Sequence, residues 1–252
     1  ANAIKRDAPV MVVMGNPPYS VSSSNKGVWI RNLLNDYKKD LGERKTSLED
    51  DYIKFIRYAQ WFIEKNGEGI IAYISNNSFI DGITHRQMRK SLLETFNKIY
   101  ILDLHGNAKK KEKSPDGSVD ENVFDIMQGV SINIFVKNKD QKTKQLRVLH
   151  SEIWGSREDK YHQLSARNLE KLNWVEIVPD NPNYLFIRSA NNLNEYHSFL
   201  PVNEIFQKYS TGVQTSRDDI ATSFSILEQR LKNEEFCDRN LNDSFIRTKY
   251  FK

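Results

Sequence analysis

Apolar and polar positions follow two different periods along this chain, and the change between them marks its organisation. An apolar run, Val10-Met11-Val12-Val13-Met14, ends at Gly15 and reads as a buried strand. A loop with Ser22, Ser23, Ser24 and Asn25 follows, then a charged stretch to about Ser47. From Leu48 to Lys65, Tyr52, Phe55, Ile56, Ala59, Phe62 and Ile63 recur at helical spacing, and Gly67 stops that helix. Gly69 to Ile74 reads as a second buried, parallel strand, closed by the polar corner Ser75-Asn76-Asn77-Ser78. Thr84 and Gln87 have capping-box spacing for a helix carrying Met88, Leu92 and Phe96. Lys98 to Leu104 predicts a third strand. Strand, helix, strand, helix, strand is half of a doubly wound sheet.

The rhythm then changes. Lys109 to Ser118 holds four lysines, Pro115 and an Asp116-Gly117 turn signal, and reads as an exposed, mobile loop. Val130 to Val136 alternates Ile132, Ile134 and Val136 against Ser131 and Asn133, which suits a strand of a hairpin better than a doubly buried one. Leu146 to Leu149 predicts a further strand. Beyond about residue 156 the α/β pattern is lost, and aromatics lie scattered among Asn and charges, as in a linker followed by a second module.

Composition narrows the classes without choosing one. The 252 residues suffice for one large domain, or one and a half, and aromatics at 11% argue against disorder. A net charge of +4 is compatible with nucleic acid but does not demand it. The single Cys237 excludes an internal disulfide framework and fits a reducing compartment. No apolar run is long enough to span a membrane, so no membrane partner and a cytoplasmic location are expected. The five histidines lack metal-ligand spacing and read as surface or core residues, so no metal site is expected.

Chemistry concentrates at Asn16-Pro17-Pro18-Tyr19, directly after the first strand. The adenine exocyclic amine is a poor nucleophile, because its lone pair is delocalised into the ring. A site that methylates it needs two acceptors aimed at the amine and a flat surface for the base. The Asn16 side-chain oxygen and the Pro17 carbonyl can be those acceptors, and the Tyr19 ring can be the surface. Two prolines stiffen the loop by fixing φ and removing N–H donors. Asn16, preceding a proline, is held extended at the strand's end, where open α/β sheets bind ligands.

Strand-Asn-Pro-Pro-Tyr resembles the catalytic motif of S-adenosylmethionine-dependent amino-methyltransferases, above all those acting on adenine in DNA. The layout is similar to the methyltransferases of fused restriction–modification enzymes of types IIG and ISP. Glu121-Asn122-Val123-Phe124, running into Gly129 to Phe135, looks like the family's later motif, which makes Phe124 a second ring against an extruded adenine. Tyr209 to Asp219 looks like the junction into target recognition. The resemblance implies an α/β fold, a partial Rossmann-like methyltransferase sheet with helices on its faces and the start of an α+β recognition region. Residues 1–150 would be the C-terminal half of the catalytic domain, and 151–252 a linker with the beginning of target recognition. It implies double-stranded DNA and S-adenosylmethionine as ligands, with Asn16, Pro17, Pro18 and Tyr19 catalytic. Ser75, Asn76 and Asn77, at the same sheet end, and Lys109, Lys110 and Lys111 are candidate substrate contacts.

One departure matters. The family's Gly-rich cofactor turn precedes Asn-Pro-Pro-Tyr, yet only fifteen residues precede Asn16. Gly67-Glu68-Gly69 lies before a strand, so it fails the context of a cofactor loop. The expectation is a piece of a larger enzyme, inactive alone, whose partners include its own missing cofactor half and an attached nuclease or helicase. Two alternatives stay open: an inactive DNA-binding or scaffold fragment, and a methyltransferase acting on RNA or protein glutamine.

Overall fold

The computed structural model describes residues 9, 11–19, 23–41, 48–139, 146–188, 198–206, 208 and 218–251. Two compact units are present, Ala1–Asn192 and Leu193–Lys252.

The first unit is built on a six-stranded mixed sheet. Its elements run β1 (Val12–Gly15), α1 (Val28–Lys38), α2 (Asp51–Asn66), β2 (Gly69–Asn76), α3 (Arg86–Thr95), β3 (Lys98–Asp103), β4 (Val130–Lys137), β5 (Arg147–Glu152), α4 (Arg157–Ala166) and β6 (Val175–Ile177). The spatial order is β1-β2-β4-β3-β5-β6, with β1 parallel to β2 and β5 parallel to β3. Strand β4 pairs antiparallel with both β2 and β3, so it is not an outer hairpin strand. Its alternation also has the opposite meaning to the one expected. Ser131 and Asn133 are the fully buried positions, and Asn133 Nδ2 donates to Ser75 Oγ at 3.1 Å and to the Ser131 carbonyl at 3.0 Å. A polar stripe is stable at the sheet centre because its donors and acceptors meet each other.

Helices α1, α2 and α3 cover one face through a core including Leu34, Tyr52, Ile56, Ile63, Leu92 and Phe135. Helix α1 lies inside the stretch read as merely charged. Its stripe is narrow, Ile30, Leu34 and Tyr37, spaced four and three residues apart among polar neighbours. Helix α2 ends as its sequence predicts, with Gly67 left-handed at φ 86°. Helix α3 begins differently. A 3-10 turn, Ile83–His85, leads into it and His85 occupies the cap position, so Thr84 and Gln87 form no capping box. The other face is covered by Leu102, Leu104, Val123, Val130 and Ile153, joined by Leu164, Leu172 and Trp174.

Strand β1 is exposed rather than buried. Met11, Val12 and Met14 are 42%, 55% and 76% exposed, because among the described residues only β2 pairs with β1. The expected buried strand needs a neighbour on its outer side.

In the second unit two helices, α5 (Ile226–Cys237) and α6 (Asp243–Tyr250), are capped by Ser225 and Asn242. Glu235 binds both Lys249 and Tyr250, and Phe236 packs on Tyr250 with centroids 4.9 Å apart. No strand occurs among the described residues of this unit. Of the sequence junction Tyr209 to Asp219, residues 209–217 lie outside the described residues, and Asp218 and Asp219 begin a short helix, Asp218–Ala221.

One buried arginine ties the sheet's helical face to the segment after β6. Arg89 is fully buried and donates to the carbonyls of Phe79 (2.6 Å), Gly82 (2.8 Å) and Asn183 (3.0 and 2.5 Å). Those bonds seat Phe186 in the core beside Phe79. Arg89→Met strands three carbonyls and is expected to lower the unfolding free energy by about 3 kcal/mol or more in urea titrations.

Candidate active site at the carboxyl end of the sheet

The loop after β1 rises from the carboxyl end of the sheet. Asn16 and Pro18 are exposed, Pro17 is buried and Tyr19 is half-buried. Tyr19 Oη lies 3.5 Å from the Ile74 carbonyl, at the limit of a hydrogen bond, so the ring sits over the end of β2. Burial pushes its pKa up to about 12, and the phenol stays neutral near pH 7.

The second predicted ring comes from far along the chain. Phe124 lies in the loop before β4, yet its ring centroid is 6.3 Å from that of Tyr19, with the planes tilted by 55°. Both rings rest against the same cluster of Leu102, Leu104, Val123, Val130 and Ile153. Asn122 shapes this loop, a role that its sequence gave no sign of. Its Nδ2 donates to the carbonyls of Gly106 (3.0 Å) and Gln128 (2.6 Å), and its Oδ1 accepts from the Phe124 N–H (2.9 Å). Gly106, at φ 78°, has no room for a side chain, since a Cβ there would meet Asn122 Cα at 2.4 Å.

The polar corner after β2 is committed to the protein itself. Ser75 accepts from Asn133, Asn76 Oδ1 accepts from the Ser78 N–H and hydroxyl at 2.8 and 2.7 Å, and Asn77 Nδ2 donates to Asp103 Oδ1 at 2.9 Å. All three are buried. The lysine loop is folded rather than loose. Asn107 accepts from the Lys110 N–H, Glu112 accepts from the Asn107 N–H, and Lys113 bridges to Val119. Lys109 and Lys111 are exposed, while Lys110 pairs with Asp81 at 3.0 Å.

His105 lies just past β3 and is buried near the site. It adopts a left-handed backbone, φ 52°, and stacks on Trp154 with centroids 3.3 Å apart. Nδ1 lies 3.6 Å from Asp103 and 3.9 Å from Glu112, and Nε2 lies 3.6 Å from Glu152. These spacings are ion pairs longer than good hydrogen bonds. Burial alone would lower the imidazole pKa, but the carboxylates of Glu112, Glu152 and Asp103 outweigh it and push the value up to about 9. Burial holds His85, beside Arg89, and His150 down at about 4.

The glycines Gly67 and Gly69 do not form a cradle for S-adenosylmethionine. They lie at the amino end of β2, opposite the Asn16 end. A Cβ on Gly69 would meet Ile63 Cδ1 at 2.5 Å and the Met11 carbonyl at 2.6 Å, so this glycine serves close packing of β1 and α2. These two glycines therefore make no cofactor cradle. Among the described residues, no group of three or more His, Cys, Asp and Glu side chains could hold a metal, and no helix is long and apolar enough to cross a membrane.

Residues 9–109 match the Eco57I restriction-modification methylase family. The matched stretch contains β1 to β3 and the whole Asn-Pro-Pro-Tyr loop. No curated protein matches the chain. Among solved structures, the chain is similar to the DrdV–DNA complex, with 26% identity over 93% of this chain and 25% of that one, TM-score 0.65. It is also similar to LlaBIII, an ATP-dependent type ISP restriction-modification enzyme bound to DNA, with 28% identity over 91% of this chain and 16% of that one, TM-score 0.64. A nuclease-deletion mutant of the type ISP enzyme LlaGI, in complex with a DNA substrate mimic, gives 26% identity over 74% of this chain and 16% of that one, TM-score 0.61. The chain thus spans a quarter or less of the length of these structures. Its fold is the α/β fold of methyltransferase-containing restriction-modification enzymes.

The shifted histidines predict how stability depends on pH. His105 has a folded pKa near 9 against an unfolded value of about 6.5, so its contribution is complete below about pH 6.5 and is lost as pH climbs through 9. His85 and His150, near 4, contribute fully above about pH 6.5 and lose that contribution as pH falls toward 4. Thermal melts between pH 5 and 10 are expected to peak near neutrality. His105→Asn, which tolerates the left-handed backbone but carries no charge, should flatten the alkaline limb while leaving the acid limb.

Proposed function

We propose that the first unit is the acceptor-binding half of an S-adenosylmethionine-dependent DNA adenine methyltransferase within a longer restriction-modification polypeptide. The observation that carries this reading is the meeting of Phe124 with Tyr19, three residues after Asn16, at the carboxyl end of a sheet whose β1, β2 and β3 lie in the stretch that matches the methylase family. Two rings 6.3 Å apart already touch. An extruded adenine would therefore stack on the face of Tyr19 and meet Phe124 by its edge. Extrusion costs a few kcal/mol, and each base–aromatic contact returns about 1–3 kcal/mol.

Asn16 Oδ1 and the Pro17 carbonyl would then accept from the two amine hydrogens. As the nitrogen turns tetrahedral and gains positive charge, those bonds strengthen, so they favour the transition state over the bound base. When bound, S-adenosylmethionine would supply a methyl group from its sulfonium sulfur, which would depart as a neutral thioether. The amine nitrogen would gain that methyl and release one proton to solvent. Among the described residues only β2 pairs with β1, and Met11, Val12 and Met14 are exposed, which supports a cofactor-binding part supplied by the longer polypeptide. Lys109 and Lys111 would meet phosphates at the same end.

DNA is favoured over RNA or protein glutamine as acceptor because the similar enzymes DrdV, LlaBIII and LlaGI were solved with DNA or a DNA mimic. The complete polypeptide carrying this chain, expressed in a host free of adenine methylation, is expected to place N6-methyladenine at one sequence motif, read by modification-sensitive sequencing. Asn16→Ala should abolish the mark while duplex affinity stays within about threefold, since it removes contacts made in the transition state. An undiminished mark in Asn16→Ala, or methylation of cytosine instead, contradicts the assignment.

A further inference from the structure

We propose that helix α4 is the positioning element that sets Phe124 against the base, an inference that rests on the function proposed above. The loop Asp120–Phe124 has no strand or helix to satisfy its carbonyls. Four consecutive ones instead accept from three side chains on one face of α4. Lys160 Nζ donates to the Glu121 carbonyl at 2.6 Å, Arg157 Nε to that of Asn122 at 2.8 Å, Tyr161 Oη to that of Val123 at 2.5 Å, and Arg157 Nη2 to that of Phe124 at 3.1 Å. Positions 157, 160 and 161 lie three and four residues apart, so they share a helix face. Arg157 Nη1 also pairs with Asp125 at 2.7 Å, just beyond the ring.

Beneath this comb lies a buried ion pair. Lys160 Nζ and Asp120 Oδ1 are 2.7 Å apart with both side chains wholly buried. Each partner reaches further. Lys160 also donates to the Leu104 carbonyl at 2.7 Å, and Asp120 accepts from the N–H of Gly106 at 2.6 Å and of Gly155 at 2.9 Å. The pair locks the Phe124 loop to the end of β3 and the start of α4 together. A buried pair with every polar atom satisfied specifies one geometry, whereas removing one member leaves a naked charge. None of these α4 residues lies in the 9–109 stretch that matches the methylase family. Arg157, Lys160 and Tyr161 are thus positioning residues, acting on the acceptor base only through Phe124.

The test uses the complete polypeptide and two duplexes of its target motif, one with adenine at the target position for kcat and one with 2-aminopurine there for fluorescence. Arg157 is 37% exposed, so Arg157→Ala should fold. It is expected to leave duplex affinity unchanged, to reduce the 2-aminopurine signal, and to lower kcat by about ten- to a hundredfold, the scale of a small misplacement. Tyr161→Phe, which deletes a single bond, should do the same more weakly. In a Phe124→Ala background, Arg157→Ala should cost nothing further. An undiminished loss in that background, a loss explained by weaker duplex binding, or wild-type kcat in both variants overturns the proposal. Absence of methyl transfer by the wild type would contradict the function itself, and is read separately.

Discussion

The antiparallel insertion of β4 between β2 and β3 is the constraint on which the candidate site depends. Its register with β2 runs from Gly69 opposite Lys137 to Asn76 opposite Val130, and with β3 from Lys98 opposite Val136 to Asp103 opposite Ser131. Because β4 runs backwards, its first residue lies beside the last residues of its neighbours. The loop that precedes β4 and the loop that follows β1 therefore leave the sheet at the same end. That reversal carries Phe124 to Tyr19 across more than a hundred residues of sequence. A parallel β4 would have started at the amino end of the sheet and left the two rings on opposite sides. The buried Ser75, Ser131 and Asn133 network lies along this same pairing, so the sheet centre is held by directional bonds as well as apolar contact.

Buried cations take part in positioning the segments that surround the sheet. Arg89, Lys160 and His105 are buried, and each holds chain segments that carry no regular secondary structure. Arg89 fixes the segment reaching Phe186, Lys160 fixes the Phe124 loop, and His105 sits among Asp103, Glu112 and Glu152 beneath the lysine loop. Each sits where backbone carbonyls or carboxylates would otherwise be buried alone, so the cost of burying the cation is met by groups that also need a partner.

These facts explain which features were legible in the sequence. Strands β2 and β3 and helix α2 were read from apolar periodicity, because their buried faces are apolar. The Asn16-Pro17-Pro18-Tyr19 loop stood out because Asn, two prolines and Tyr have separate chemical meanings there. Helix α4 was missed because the residue it buries is a lysine, which gives no apolar stripe. Its signal was Ser156 followed three residues later by Asp159, whose N–H the Ser156 hydroxyl accepts at 3.2 Å. Helix α1 was missed because three apolar residues sit among charges. The central place of β4 was misjudged because Ser131 and Asn133 look solvent-facing until their partners are known. Pattern reports hydrophobicity, and buried hydrogen-bonded polar groups are silent to it.

If Tyr19 and Phe124 hold one extruded base, photocrosslinking of the complete polypeptide to a duplex with 5-iodouracil at the target position, followed by mass mapping of the adduct, should show it. Attachment is expected at Tyr19 or Phe124, lost from each ring when that ring is replaced by alanine. Attachment to neither ring would contradict that arrangement.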